Sequence, residues 1–243
     1  MKIAVAQTRP KKGDISANID QHVQLIRCAI EAKAEAIFFP ELSITGYEPT
    51  LAKALAMHAF DQRLEVFNEL SARHNVVIGV GIPKQTDLGV EICMVVFKPD
   101  TKRQTYSKQF LHTDEFPYFV AGETQLYLGL CNSVIAPAIC YESLIDEHVN
   151  QLTKTPDIYV ASVSKPQNGI EKAAIHYPTI ARQNKMYVVM ANNIGASDTF
   201  MAVGNSGVWD QHGELLDSLD SSETGILVLD TSNNTVYSKT LEA

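Results

Sequence analysis

A chain of 243 residues, 45% hydrophobic and 20% charged, can bury a substantial core, and that composition excludes a disordered or fibrous protein. A formal net charge of −8, with no cluster of Lys and Arg, excludes nucleic acid or an anionic membrane surface as the main partner. Four cysteines without a CxxC pair exclude a disulfide or zinc framework, and seven histidines without HxxH or HExxH spacing imply no metal.

In chain order, residues 2–7 read as a strand and residues 18–34 as an amphipathic helix, because Ile19, Val23, Ile26, Ile30 and Ala34 recur at three- and four-residue intervals. The N-terminal apolar run is too short for a signal peptide and no later segment approaches a membrane span, so a cytoplasmic location is expected. Residues 36–39 form a short apolar strand stopped by Pro40, which completes a βαβ unit. Residues 51–74 read as helical, and residues 76–82 as a third apolar strand. Gly79 and Gly81 lie in that strand without a third glycine opening a helix, so no nucleotide cofactor is implied.

Residues 91–98 and 103–108, separated by Pro99 to Lys102, predict an antiparallel hairpin. A buried strand over 133–140 follows, then a helix over 144–152, a strand over 157–162, a helix over 170–185 and a strand over 186–191. Short strands over 206–209, 214–218 and 225–229 close the chain, with turn chemistry at Gln211, His212 and Gly213. No linker or composition break divides the sequence, so residues 1–243 read as one domain. Strands this numerous and this apolar predict an α/β protein of two packed sheets with helices on both outer faces; one doubly wound sheet is the alternative.

In such folds functional groups gather at the carboxyl ends of strands. Three ionisable residues occupy such positions: Glu41 after AIFFP, Lys108 at the end of RQTYSK and Cys140 at the end of SVIAPAIC. A thiol delivered to the start of a helix is a natural nucleophile, since the helix N-terminus favours the thiolate. A partly desolvated glutamate suits a general base, and a lysine beside it can donate to an oxyanion; together they supply acyl transfer through a thioester. Tyr47, Tyr118 and Phe119 are placed to flank a pocket, and Asn192 or Asn193 could donate to a substrate or make a turn. Cys28 and Cys93 read as packing residues, and Cys131 as a loop thiol.

The segments FFPELSITGYEP, YSKQFLHTDEFPYFVAGE and ICYES resemble, in order and spacing, the three signature segments of the nitrilase, or carbon-nitrogen hydrolase, superfamily. The likeness continues through HYPTIARQNKMYVVMANNIG and GNSGVWDQHGELL. It implies a four-layer αββα sandwich of two mixed sheets and a Glu-Lys-Cys triad at Glu41, Lys108 and Cys140, without cofactor. It also implies a second glutamate, matched by Glu115, that holds Lys108, and a homodimer or larger assembly. The backbone N–H of Tyr141 would join Lys108 as oxyanion donor.

Phe110 stands where family members commonly carry histidine, with His112 two residues further on. Tyr141, Glu142 and Ser143 differ from the Tyr-Asp-Leu-Arg of several amidase branches. The expected activity is hydrolysis of a small amide or N-carbamoyl compound, with a nitrile as the alternative. Two rivals are a Cys-His hydrolase using His112, His148 or His176, and a silent binding protein that keeps the fold.

Overall fold

The computed structural model describes residues 1–241. Its first sheet holds seven strands: β1 (Lys2–Gln7), β2 (Ala36–Phe38), β3 (Val77–Gln85), β4 (Val90–Phe97) and β5 (Gln104–Ser107), joined by two strands from the tail. The second sheet holds six, among them β6 (Leu128–Leu130), β7 (Ser133–Ile139), β8 (Ile158–Val163) and β9 (Tyr187–Asn192). A separate ribbon pairs β10 (Ile194–Ser197) with β11 (Phe200–Val203). The chain then runs through β12 (Gly207–Trp209), β13 (Leu215–Ser218), β14 (Gly225–Asp230) and β15 (Thr235–Thr240). The order is β15-β14-β1-β2-β3-β4-β5 in one sheet and β13-β12-β9-β8-β7-β6 in the other.

Period-two alternation decides which layer each side chain enters. Ile3 and Val5 of β1 face the second sheet, where they join Ile135, Ile139, Val160 and Val189 in an inter-sheet core. Ala4 and Ala6 face outward, onto Leu25 and Ile26 of α1 (Ile15–Glu31) and Phe67 of α3 (Glu65–His74). On the far side, Tyr159 and Val188 pack against Tyr177, Ile180 and Ala181 of α5 (Gln167–Asn184). These are the four layers of an αββα sandwich built from two mixed sheets, as the sequence predicted.

Two helices and four strands differ from expectation. The helix predicted over 51–74 is broken: α2 (Ala52–Leu55) ends at Ala56, which is extended, and α3 starts only at Glu65. Between them Met57 donates to Pro83 O at 3.0 Å and accepts from Gln85 N at 2.9 Å, so β3 draws this stretch into a bridge. The helix expected over 144–152 is the single turn α4 (Asp146–Asn150), because residues 140–144 form a 3₁₀ turn first. β6, β10, β11 and β15 were not predicted. Each is a short or edge strand with little apolar patterning of its own.

β1, β2, β3 and β5 run parallel to one another, as do β7, β8 and β9. The residues that follow β2, β5, β7 and β8 are drawn together at the carboxyl ends of these strands.

Candidate active site

Glu41 lies three residues beyond β2, in a turn pressed onto β3. Gly81 makes that contact possible: a Cβ there would lie 2.5 Å from both Leu42 N and Pro40 O, so any side chain would push the turn away. Ile44 N–H donates to Gly81 O at 3.0 Å, and Asn193 Nδ2 donates to Glu41 O at 3.1 Å, which ties the turn to the end of β9. Lys108 directly follows β5. Its backbone N–H donates to Ile92 O and its carbonyl accepts from Gly122 N–H at 2.8 Å.

Glu115 sits in a 3₁₀ turn, Thr113–Glu115, and folds back so that Oε2 accepts from His112 N–H at 2.8 Å. Its other oxygen faces Lys108. The Lys108 ammonium donates to Glu41 Oε1 at 2.9 Å and to Glu115 Oε1 at 2.6 Å, and all three side chains are at least 98% buried. Tyr47 O–H donates to Glu115 Oε1 at 3.1 Å. Burial works against the Lys108 cation, but the two carboxylates outweigh it and hold its pKa above the ordinary lysine value. For Glu41 burial wins over Lys108, and its pKa is raised. Glu41 Oε2 is buried and has no hydrogen-bond partner among the described residues, which leaves it open to accept a proton.

β7 ends at Ile139, and Cys140 opens the 3₁₀ turn Cys140–Leu144 with φ +51°. The expected helix start is therefore a strained elbow. A left-handed backbone at a non-glycine residue costs on the order of 1 kcal/mol or more and is held by its surroundings. Ser143 Oγ donates to Cys140 O at 2.6 Å, and Lys165 Nζ donates to the same oxygen at 3.1 Å. The thiol points to Ser164 O at 3.6 Å. Burial first, and the Glu41 charge second, push its pKa up to about 11 against the pull of Lys165 and Lys108. Cys93, buried in β4, is pushed to about 12. What distinguishes Cys140 is a carboxylate and two cations around it, rather than a low resting pKa.

Cys140 opens into a cavity of about 440 Å³ lined by Tyr47, Glu115, Tyr141, Lys165 and Phe200 among others. The Tyr141 ring meets the His112 ring edge-on at 5.2 Å, while Tyr47 packs against Phe200 at 5.6 Å. Asn192 is not on this wall. Its amide is held within the fold, accepting from Lys165 N–H at 2.8 Å and donating to Gly204 O at 2.6 Å. Among the described residues no three His, Cys, Asp or Glu side chains group as a metal site, and no helix is long and apolar enough to cross a membrane.

Two further buried charged residues of the site were not expected from the sequence. Glu142 is fully buried, with a pKa raised by burial to about 7. It accepts from Ile139 N–H at 2.7 Å, Gln109 N–H at 2.7 Å, Phe110 N–H at 3.1 Å and Tyr106 O–H at 2.6 Å. One carboxylate thus clamps the Cys140 elbow to the segment after Lys108. Because Tyr106 O–H donates to Glu142, its oxygen accepts from His148 Nε2, 2.9 Å away, and His148 Nδ1 accepts from Tyr159 O–H at 2.8 Å. His148 is therefore a neutral structural group, and burial lowers its pKa to about 4. Replacing Glu142 with Ala orphans four donors, two of them buried and two half-buried, at roughly 1 kcal/mol or more each, and lowers the melting temperature by about 10 °C. Glu142→Gln, which keeps an acceptor, falls less; equal melting temperatures for the two variants and the parent would show that the clamp is dispensable. The second residue is Lys165, two positions beyond β8.

Against known families, residues 2–239 match the carbon-nitrogen hydrolases. The chain belongs to that family. Among curated proteins this hydrolase is 27% identical over 226 residues to a glutamine-dependent NAD(+) synthetase from Acinetobacter baylyi, a match that covers 88% of this chain and 41% of the synthetase. The chain thus spans about two-fifths of the length of the curated relatives it matches. Among solved structures it superposes on a Nesterenkonia amidase with a TM-score of 0.85 at 21% identity, covering 95% of this chain and 92% of that one. Another structure of that amidase shows covalent addition of the acetamide moiety of fluoroacetamide at the active-site cysteine. A CN-hydrolase superfamily protein from Xanthomonas campestris gives a TM-score of 0.83 at 18% identity, covering 100% and 91% of the two chains. These structural likenesses support the αββα fold.

Proposed function

We propose that this carbon-nitrogen hydrolase cleaves a small amide or N-carbamoyl compound through a thioester on Cys140. The observation that carries the reading is the Lys108 ammonium held between Glu41 and Glu115 beside a thiol at the floor of a cavity. Glu41 takes the Cys140 proton on its free oxygen, and Sγ attacks the carbonyl carbon. The tetrahedral oxyanion accepts from Lys108 and the Tyr141 N–H, each worth on the order of 3 kcal/mol in the transition state. Protonated Glu41 passes its proton to the leaving nitrogen as the C–N bond breaks. The same carboxylate then activates water, which adds to the thioester and releases the acid.

Glu115 and Tyr47 act through Lys108, fixing where its ammonium stands. That the superposed Nesterenkonia protein is an amidase supports an amide over a nitrile. A second reading comes from the synthetase relatives: the substrate is the side-chain amide of glutamine, with ammonia as the useful product. Ammonia release measured over glutamine, small aliphatic amides, N-carbamoyl compounds and nitriles, with Cys140→Ala protein as the blank, separates these readings. No release above the blank from any class sinks them all. The proposal extends to a homodimer or larger assembly, measured by light scattering.

A further inference from the structure

Lys165 has no part in the mechanism above, yet it is 97% buried and lies on the cavity wall beside Cys140. Its ammonium donates to Cys140 O at 3.1 Å and stands 3.8 Å from Cys140 Sγ. Lys108 has two carboxylates within 3 Å, whereas Lys165 has none within 4 Å among the described residues. A buried cation without a bonded anion is costly, and burial accordingly lowers the Lys165 pKa. The fold nevertheless aims it. Lys165 N–H donates to Asn192 Oδ1 at 2.8 Å, Lys165 O accepts from Val203 N–H at 3.1 Å, and Gly169 leaves just enough room for the lysine stem.

We propose that Lys165 is the counter-ion of the Cys140 thiolate. The proposal rests on Cys140 acting as nucleophile with Glu41 as its base. Before proton transfer, Glu41 and Glu115 carry two negative charges against Lys108 and Lys165. When the proton moves from Sγ to Glu41, the negative charge that leaves the carboxylate reappears on sulfur. Lys108 remains bonded to Glu115 at 2.6 Å, and Lys165 is the cation free to meet the sulfur. The transfer thus moves a charge between two lysines without changing the total in a buried site, which keeps its cost low.

Other groups around Cys140 do not supply this. Tyr47 and Tyr177, the latter through Ser143, are neutral, with pKa values pushed up chiefly by burial. His112, Asp114 and Lys172 also line the cavity, and none of them has a hydrogen bond to Cys140.

The test is the rate of Cys140 alkylation by iodoacetamide across pH 6–11, read by mass spectrometry so that Cys28, Cys93 and Cys131 are counted separately. Removing the charge in Lys165→Met, or in Lys165→Gln, which keeps a donor to the Cys140 carbonyl, shifts the thiolate limb up by about one pH unit. Alkylation at pH 8 slows about tenfold in each. Lys165→Arg restores most of the parent profile. If Met fails to fold, Gln carries the test alone; a role confined to anchoring the carbonyl leaves the Gln profile on the parent curve, and that result overturns the proposal. Because no substrate is involved, a blank ammonia screen does not affect it. A parent protein whose Cys140 reacts no faster than buried Cys28 removes the nucleophile, and both readings fall together.

Discussion

Cys140→Ala protein loses amide hydrolysis by about 10⁴-fold or more, to background, while melting within a few degrees of the parent. The activity loss follows from removing the sulfur on which the proposed acyl bond forms. The small stability change follows from how little the thiol does in the resting fold: its side chain makes two long polar contacts, to Ser164 O at 3.6 Å and to Lys165 Nζ at 3.8 Å. Alanine inherits the same strained φ of +51°, so the elbow is neither relieved nor further burdened. Glu41→Gln gives a complementary result. It keeps the shape and the Lys108 contact but cannot take the proton, and hydrolysis falls by about 10²–10⁴-fold. His112→Ala leaves the rate near that of the parent, since His112 holds Glu115 through its backbone N–H. A loss there as deep as that of Cys140→Ala would instead favour a Cys-His hydrolase.

The positions of Glu41 and Cys140 were legible because each follows an apolar strand, and a short apolar run ended by a polar residue is visible in sequence; Lys108 ends a polar strand, and the hairpin spacing placed it. The two-sheet architecture was legible for a related reason: β1, β7 and β8 are apolar on both faces, which only strands covered on both sides need to be. Helix 51–74 misled because its pattern is locally helical, while the bridge from Met57 to β3 is a long-range contact that no local window contains.

Lys165 met the criterion that selected the other three residues, since it lies just past the carboxyl end of β8. A lysine beyond a strand ordinarily reads as a solvated end, and only the packing of Asn192 and Gly169 around it shows otherwise. Glu142 illustrates a different limit. Three of its four donors come from residues 106–110, more than 30 positions away, so nothing in ICYES announces the clamp. Asn192 looked available at the end of a strand, but the backbone groups around it occupy its amide.

Lys108→Met strikes both activity and stability. The oxyanion loses its charged donor, which alone costs about 10²–10³ in kcat, and Glu115 loses the group through which it acts. Glu41 and Glu115 are left buried, facing a methyl group, in a site that held both charges only because an ammonium lay between them. Breaking a buried pair in this way costs about 3–5 kcal/mol, or roughly 10 °C in melting temperature for a chain of this size. The pH dependence carries the sign. Without the cation, burial and the Glu115 charge raise the folded-state pKa of Glu41 unopposed, further above the unfolded carboxylate value. A group raised in this way contributes stability below its unfolded pKa and loses it as pH rises through the folded one. The deficit of Lys108→Met against the parent therefore shrinks as pH is lowered from 8 to 5, and Glu115→Gln added to it recovers part of the loss at pH 8. Thermal melts of the parent and both variants at pH 5 and pH 8 read this directly. A deficit independent of pH would mean that Glu41 does not depend on Lys108 for its charge.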